Sequence, residues 1–418
     1  MTGGPTRDVD GILVLYQFIA PYAETVLEHA LSFERFSRFP VWSLNTSERF
    51  PAALRGLRFH VVVLHYSLFG SAEYQLNEAF LEFLRENPGS LRVAFFQDEN
   101  YHTQQRFTFI DDYRIDWVYT LLQPGDAALV YGERTHGPTL FSTIPGFVGD
   151  DLLRQASRFS RPESDRRIDI GYRARPLPFS MGRGAQEKSE IGRQFAALAN
   201  GLGLHLDIAT DEADRLYGAA WYRFLGTCRA VLGVEAGVSI FDLDGEARAA
   251  TEDLLAREPD LSFEEVSRRI LHTWEDNVFY RTISPRHFEA AAFKTCQILF
   301  EGSYSGLLEA GTHYIPLRKD FANFDEVIRS FRDRDLRSRI VANARRDLIE
   351  SGRYSYAAFV RGFDDELERA GIFVPGGQRQ VEVDRALARG ALARRVEARL
   401  RTRYWRLRLA VRRALIRS

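Results

Sequence analysis

The sequence predicts an α/β protein made of two doubly wound halves that face a central cleft. Short apolar runs alternate with helical patterns along most of its 418 residues, which is typical of βαβ units around a parallel sheet. The alternation stops in a polar stretch at 151–167 and resumes at 168, so a linker is predicted there. Each half is long enough to enclose its own hydrophobic core.

The first half, residues 1–150, is predicted to begin with a buried strand at 11–16 and a helix at 23–36. A second helical pattern covers 72–86. Further strands are predicted at the short apolar runs 40–44, 60–64, 92–96, 116–120 and 139–143.

The second half, residues 168–376, repeats the alternation. Ligands of such open sheets bind at the carboxyl ends of the strands, so the loops after these strands are the first places to look for a site. Strands are predicted at 168–171, 204–209, 230–234, 296–300 and 314–317. Helices are predicted at 187–201, 259–273, 286–294, 323–333 and 335–352.

Composition indicates a cytoplasmic protein. The chain is 45% hydrophobic and 27% charged, and its two cysteines, Cys228 and Cys296, lie in apolar runs without the pattern of a disulfide framework. No N-terminal signal is visible, and no apolar run approaches the roughly 20 residues that span a bilayer.

The tail, residues 377–418, is strongly basic. From 379 onward it holds 13 arginines and three acidic residues, a net charge of +10 that leaves −11 for the rest of the chain. An amphipathic helix is predicted from apolar residues spaced by three or four: Leu392, Val396, Leu400, Tyr404, Leu407, Val411 and Leu415. We interpret 379–418 as a segment that docks on the anionic inner face of the plasma membrane. The alternatives are packing on the acidic body and, less favoured, RNA binding.

The segment from Ser284 to Asp320 is the most informative. It reads SPRHFEAAAFKTCQILFEGSYSGLLEAGTHYIPLRKD, so a helix that starts after Ser284 leads into an apolar strand and a glycine-containing turn. The segment resembles the donor-binding signature of GT-B glycosyltransferases, especially the group related to the spore-maturation protein CgeB and the retaining group 1 enzymes. The resemblance implies a GT-B fold and a nucleotide-diphosphate sugar as donor substrate, with no cofactor and no metal.

The resemblance also implies roles within this segment. Glu289 is expected to bind the ribose of the donor, with Arg286 beside it; the structural alternative for Glu289 is an acid that favours a helix N-terminus. The turn formed by Tyr304, Ser305 and Gly306 is expected to present backbone N–H groups to the diphosphate. His313 is a further candidate for the donor site.

Four residues elsewhere in the second half extend the expected donor site. Arg183 and Lys188, in a glycine-containing loop, are predicted to hold the leaving diphosphate and stabilise its charge; a solvated basic loop is the alternative. Arg173 is expected to contact phosphate or the opposite domain. Glu235 follows a predicted strand and, by resemblance, touches the donor sugar, although an insertion at about 244–283 separates it from the helix that carries the ribose-binding acid.

Asp98 is the candidate of the first half. It lies in QDENY directly after the strand at 92–96, where it is expected to bind an acceptor hydroxyl or act as a base, unless it is an ordinary surface acid. Metal binding is not expected, because no metal-ligand spacing is present and the DLD at 242–244 lies outside a nucleotide domain of the GT-A type.

These observations predict a glycosyltransferase that builds a bacterial surface polysaccharide, transferring the sugar to a glycan or lipid-linked acceptor with a retaining outcome. A sugar-nucleotide epimerase of the same fold is one alternative. A non-catalytic, membrane-associated scaffold with a decayed sugar site is another.

Overall fold

The computed structural model describes residues 7–18, 24–70, 74–372 and 380–389, together with 396, 400, 403 and 404. It contains two parallel sheets, one in each half of the chain, both flanked by helices. The predicted fold class, two doubly wound halves of the GT-B type, is therefore confirmed by the topology.

The first sheet has six parallel strands in the order β2-β1-β3-β4-β5-β6. Its central strands are nearly all apolar because helices cover both faces, so neither face alternates with polar residues. Its strands are β1 (Arg7–Tyr16), β2 (Val41–Asn45), β3 (Leu57–Leu64), β4 (Leu91–Phe95), β5 (Trp117–Thr120) and β6 (Thr139–Ser142). Its helices are α1 (Glu24–Phe36), α2 (Glu78–Glu86), α3 (Thr103–Asp112) and the single turn α4 (Pro124–Ala127).

The stretch predicted as a linker contains a helix, α5 (Asp150–Phe159), whose Leu152 and Ala156 are buried against Phe224 and Leu225. The polar composition of 151–167 hid this helix because only a narrow stripe of it is apolar. The connection between the halves is therefore packed on the second half.

The second sheet has five parallel strands in the order β13-β12-β9-β7-β8, and a separate antiparallel pair is formed by β10 and β11. The strands of the sheet are β7 (Ile168–Arg173), β8 (Leu206–Ala209), β9 (Cys228–Gly233), β12 (Cys296–Phe300) and β13 (Ile315–Leu317), and the antiparallel pair consists of β10 (Ala236–Val238) and β11 (Tyr280–Thr282). Its helices are α6 (Arg183–Leu198), α7 (Ala219–Thr227), α8 (Glu246–Arg257), α9 (Phe263–Arg269), α10 (Pro285–Ala292), α11 (Phe324–Arg332) and α12 (Arg334–Arg345).

The insertion expected at about 244–283 connects the two halves. It contains α8, which the sequence did not predict, and α9, which is shorter than the helix predicted at 259–273. Phe241, Val278 and Tyr280 belong to the same buried cluster as the core of the first half. The second half is therefore held against the first by apolar packing as well as by the chain connection.

The last helices return to the first half. In α13 (Tyr356–Arg369), Val360, Phe363 and Leu367 are buried against the first sheet. In α14 (Gln380–Ala388), Val383 and Ala386 join the main core cluster of that half. The start of the tail thus packs on the protein's own body, as the alternative to membrane docking predicts for this part of the tail.

Most of the predicted amphipathic helix of the tail lies outside the described residues. Within it, Val396, Leu400 and Tyr404 are helical and exposed to solvent. None of the helices that the structure describes is long and apolar enough to cross a membrane.

Candidate functional site

A cavity of about 280 Å³ opens at the carboxyl ends of β7 and β9, the edge of a parallel sheet where ligands bind. We call it the donor cavity. The cations that line it are Arg173, Arg175, Lys188, Arg215 and Arg286. Glu235 is the one carboxylate among its described lining residues. An anionic ligand is therefore the chemistry that this lining favours.

Lys188 is a largely desolvated cation at the wall of the cavity. Its Nζ donates to the carbonyl oxygen of Gly237 at 2.8 Å. Burial lowers the pKa of the Lys188 ammonium to about 8, while the charge of Asp98 across the cleft acts in the opposite direction. The structure thus brings Lys188 and Asp98, from opposite halves, to the same cleft.

Arg183 does not reach the donor cavity. The predicted loop is the first turn of α6, and five residues of α-helix rotate by about 140° beyond a full turn, so Arg183 and Lys188 lie on different faces. The Arg183 guanidinium pairs with Glu264 at 2.6 Å and lies over the ring of Phe263. Its predicted contact with a diphosphate stays untested.

Arg173 and Arg286 border the cavity but are partly engaged already. Arg173 pairs with Asp207 at 2.7 Å and lies 4.3 Å from the ring centroid of Phe224. Arg286 donates to the carbonyl oxygen of Arg173 and lies 5.0 Å from the ring centroid of Trp221. Both guanidinium groups therefore keep defined positions at the cavity wall.

Glu289 lies behind the cavity wall. Ser284 caps α10 by accepting from the N–H of Arg286, and Pro285 occupies the first turn, so the helix starts where the sequence predicts. The carboxylate of Glu289 accepts from Trp221 Nε1 at 2.8 Å, and it is Trp221 that lines the cavity. Burial raises the pKa of Glu289. Its expected contact with ribose stays a prediction.

Glu235 accepts from one of the backbone N–H groups that were expected to bind a diphosphate, that of Tyr304, and from the neighbouring N–H of Ser303, while the N–H of Gly306 donates to the carbonyl oxygen of Ser303. Its Oε1 accepts from the N–H of Ser303 at 3.0 Å and from the N–H of Tyr304 at 2.8 Å. The Ser303 hydroxyl donates to the same oxygen at 3.0 Å. A carboxylate is itself the anion that such a turn attracts, so Glu235 fixes the turn from within the protein.

The turn itself is left-handed at three consecutive residues. The φ angles of Tyr304, Ser305 and Gly306 are +46°, +57° and +73°, a conformation that costs free energy at the two non-glycine residues. The Tyr304 side chain is buried, and its hydroxyl donates a hydrogen bond to the carbonyl oxygen of Phe300. The hydroxyl oxygen of Ser305, Oγ, lies 2.7 Å from Thr282 Oγ1. These side chains hold the turn in place and do not line the donor cavity.

His313 is also outside the donor cavity. Its Nδ1 accepts from the N–H of Glu309 at 3.0 Å, and its Nε2 lies 3.0 Å from Asp347. Arg346 and, to a lesser degree, His313 lower the pKa of Asp347 to about 2. The structure therefore gives His313 a contact between a loop and the helical turn after α12.

Asp98 stands exposed on a loop that the first half fixes rigidly. The loop follows β4, and Asp98 has a left-handed φ of +50°. Arg106 lies beneath it with only 1% of its surface exposed. Its guanidinium donates to the carbonyl oxygens of Phe69, Gln97, Asp98, Glu99 and Tyr101.

Glu99, the neighbouring acid, is structural. Its buried carboxylate accepts from the Thr120 hydroxyl at 2.6 Å, from the N–H of Leu121 at 2.8 Å and from the Tyr131 hydroxyl. Burial raises the pKa of Glu99. Of the two acids in QDENY, only Asp98 is therefore presented to the cleft.

Sequence reasoning missed several residues of the cavity. Trp221 lies at the start of α7, the helix that follows β8 after a loop, so this helix begins near the carboxyl ends of the strands, where ligands bind. A helix predicted there would have pointed to Trp221. His287 is buried in the cavity wall, its Nδ1 lies 2.9 Å from Gln297 Oε1, and burial lowers its pKa to about 4. No local pattern marks His287, because its partner arrives from the next strand.

No group of three or more His, Cys, Asp or Glu side chains that could hold a metal ion occurs among the residues described by the structure. Both cysteines are buried free thiols.

No protein-family model and no curated protein matches this sequence. Among solved structures, it is similar to an alpha-glucosyltransferase in complex with UDP and DNA, with 9% identity and a TM-score of 0.47, over 87% of this chain and 100% of that one. HepE from Anabaena, in complex with UDP and glucose, has 12% identity and a TM-score of 0.46, over 86% and 99%. TarM has 10% identity and a TM-score of 0.38, and this chain covers 57% of its length with 81% of its own. Both the identities and the TM-scores are low, and the fold of this chain is established by its own strand order.

Proposed function

We propose that this protein is a glycosyltransferase that uses a nucleotide-diphosphate sugar as donor. One observation carries the proposal: a cavity lined by five cations at the carboxyl ends of two parallel strands faces an exposed carboxylate on the opposite half. A diphosphate matches the charge of such a lining, and the sheet edge is the place where α/β folds bind nucleotides.

In the proposed reaction, Lys188 and Arg175 contact the diphosphate. Cations fixed in a partly desolvated site stabilise the negative charge that develops on the diphosphate as the bond to the sugar breaks. Arg286 lies at the same wall and supports this contact. Glu235 borders the cavity, and its carboxylate is proposed to accept from a hydroxyl of the donor sugar through Oε2, because Oε1 already accepts from Ser303 and Tyr304.

On the opposite wall, Asp98 is proposed to accept a hydrogen bond from the acceptor hydroxyl and to orient its attack. Its loop is held by Arg106, so the carboxylate is positioned before the acceptor binds. A retaining outcome and independence of metals and cofactors are proposed from the family resemblance. The anomeric configuration of the product, determined by NMR, tests the first of these.

The acceptor is proposed to be a glycan or a lipid-linked glycan of a bacterial surface polysaccharide. The support is the +10 charge of 379–418, because each basic residue near an anionic surface contributes about 1 kcal/mol of attraction. The matched test cuts the chain after Arg389, which keeps α14 in the core. The full chain should sediment with anionic liposomes at low salt, and the truncated chain should not. Equal sedimentation of both would refute the membrane role of the tail.

The donor is tested by a thermal-shift screen of nucleotide sugars, because a ligand that binds only the folded state raises the melting temperature. A specific nucleotide sugar should stabilise the parent, and Lys188→Gln should abolish the shift. Turnover should then require an acceptor. Conversion of the sugar nucleotide to an epimer without any acceptor would identify an epimerase instead, and the absence of any stabilising nucleotide would contradict the whole proposal.

A further inference from the structure

A second cavity, of about 450 Å³, lies at the opposite edge of the second sheet. We call it the arginine pocket. Six cations line it: Arg161, Arg166, Arg229, Lys294, Arg337 and Arg345. Three of them come from positions just before or at the start of β7, β9 and β12, which are parallel and so begin at one edge, while the last two lie on α12.

Only half of these cations are neutralised. Arg229 pairs with Asp169, Arg337 with Glu163, and Arg345 with Glu350. Among the described residues, no carboxylate lies within ion-pair distance of the other three, Arg161, Arg166 and Lys294. The pocket therefore carries a surplus of three positive charges within a space the size of a small-molecule site.

Arg166 is the most deeply buried of the three, because Arg161 and Lys294 are exposed. It is 4% exposed, and its guanidinium donates to the carbonyl oxygens of Cys228 and Phe293, to that of Arg161 and to the hydroxyl of Thr295. All these hydrogen-bond partners are neutral, and the carboxylate that acts on Arg166 from a longer distance, Glu163, already pairs with Arg337. A buried cation that lacks an ion-pair partner of its own is a costly arrangement, and a bound anion would offset that cost.

Part of the cluster has a structural role. Arg166 and Arg345 donate to the carbonyl oxygens of Phe293 and Ala292, the last carbonyls of α10, and so cap that helix. Arg161 and Lys294 take no part in this capping. Lys294 has a left-handed φ of +53°, which a glycine would adopt without strain, yet the position places a cation at the exposed rim of the pocket.

We propose that the arginine pocket binds a small anion that carries two or more phosphate charges, at a site distinct from the donor cavity. The buried Arg166 forms the floor, and the exposed Arg161 and Lys294 form the rim. The two sites lie at opposite edges of the same sheet. They are joined by α10, which starts with donor-cavity residues and ends at the turn of Lys294, about 12 Å further along.

The proposal is tested by calorimetric titration of inorganic pyrophosphate into the full-length protein. Because pyrophosphate also fits the proposed donor cavity, the same titration is made on Lys188→Gln/Arg175→Gln, which is expected to retain binding at the arginine pocket. In Arg161→Gln/Lys294→Gln this binding should weaken at least tenfold, since two charge-assisted contacts are lost. Binding in Arg193→Gln/Arg329→Gln, two exposed arginines of the same half outside both cavities, should equal that of the parent.

A single variant, Lys294→Gly, separates the loss of charge from a loss of folding. Glycine adopts the left-handed backbone of this position without strain and at the same time removes the charge. This variant should fold at least as stably as the parent and bind pyrophosphate more weakly. The proposal is overturned if no pyrophosphate binding survives in the donor-cavity double variant. It is also overturned if Arg161→Gln/Lys294→Gln binds as the parent does, or if equimolar sulfate displaces pyrophosphate fully, which would indicate an unspecific charge effect.

Discussion

The two walls of the cleft are built in opposite ways. The first-half wall is a loop whose polar groups are satisfied inside the protein: Arg106 holds its carbonyls, and Glu99 holds the end of the adjacent strand. One carboxylate, Asp98, is left exposed. The second-half wall is a cavity with five cations, of which Lys188 is partly desolvated and Arg175 lies exposed.

The difference separates two requirements of a transfer reaction. An acceptor hydroxyl needs one group in a fixed position, which a rigid buried network provides. A leaving diphosphate needs positive charge in a fixed position. Among the described residues, Lys188 and Arg286 have no carboxylate within ion-pair distance, whereas Arg173 pairs with Asp207, and Arg175 and Arg215 share Glu212. Because the two walls come from different halves of the chain, a substitution on one wall should alter its own requirement and leave the other intact.

Arg106→Met removes the network of the first wall. We expect the free energy of unfolding, measured with urea, to fall by about 3–5 kcal/mol, because five carbonyls around a buried charge lose their donor. Arg85→Met is the control: its exposed guanidinium pairs with Glu78 on the surface, and we expect little change. A similar loss in both variants would mean that the loop is not held by Arg106.

Lys188→Gln removes the central cation of the second wall. Turnover should fall by roughly 10²–10³, the usual effect of losing one fixed donor to a developing anion. Arg183→Gln is the matched control because its guanidinium faces Glu264, and it should keep parental turnover. An equal loss of turnover in Arg183→Gln would support the contact with the diphosphate that the sequence predicts for Arg183.

The pH dependence of the same lysine gives a second measurement. Its pKa of about 8 in the folded protein means that the ammonium loses its proton as the pH rises through 8. The affinity of the parent for a nucleoside diphosphate should therefore decrease above pH 8, whereas Lys188→Arg should show no such decrease. A flat profile in the parent would show that Lys188 does not carry the contact.

His29 and His65 lie behind the first wall as a buried pair, with His65 Nε2 at 3.0 Å from His29 Nδ1. Burial lowers the pKa of His29 to about 3, so the unfolded chain binds more protons than the folded one between pH 6.5 and 3. The contribution of His29 to stability is full above pH 6.5 and should decrease by roughly 2 kcal/mol by pH 5. His29→Phe should flatten this part of the acid profile, and His136→Phe, at an exposed histidine, should not.

Glu289, the acid behind the second wall, is expected to have only a small effect on nucleotide affinity. Glu289→Gln weakens the bond from Trp221, and we expect about fivefold lower nucleotide affinity, equivalent to about 1 kcal/mol. If Glu289 acts by positioning Trp221, the same change should have little effect in a Trp221→Phe background. An undiminished loss in that background would favour the direct contact with ribose that the sequence predicts.

The sequence was informative about strands because a buried parallel strand is a short, local apolar run. The strand predicted at 296–300 coincides with β12 for this reason. The sequence did not reveal which half α13 completes. Its apolar residues show a helical spacing, but the sheet they cover lies more than 200 residues earlier in the chain.

Part of the site was also predictable, because it depends on where the predicted strands end. Lys188, Arg173, Arg286 and Glu235 line the donor cavity because loops after parallel strands converge at one edge. Where a charged side chain ends up depends on partners that no local pattern contains. Arg183, for example, finds its carboxylate 81 residues away.

The return of α13 and α14 to the first sheet has a consequence for synthesis on the ribosome. The first sheet is translated early, yet its core needs Val360, Phe363 and Leu367 of α13 and Val383 of α14, which emerge more than 200 residues after the last strand of the sheet. Until then one apolar face of the sheet is left uncovered, and uncovered faces of this kind attract chaperones or aggregate. The nascent chain should therefore become resistant to protease in the first half only after α13 and α14 have left the exit tunnel, later than the order of translation alone would suggest.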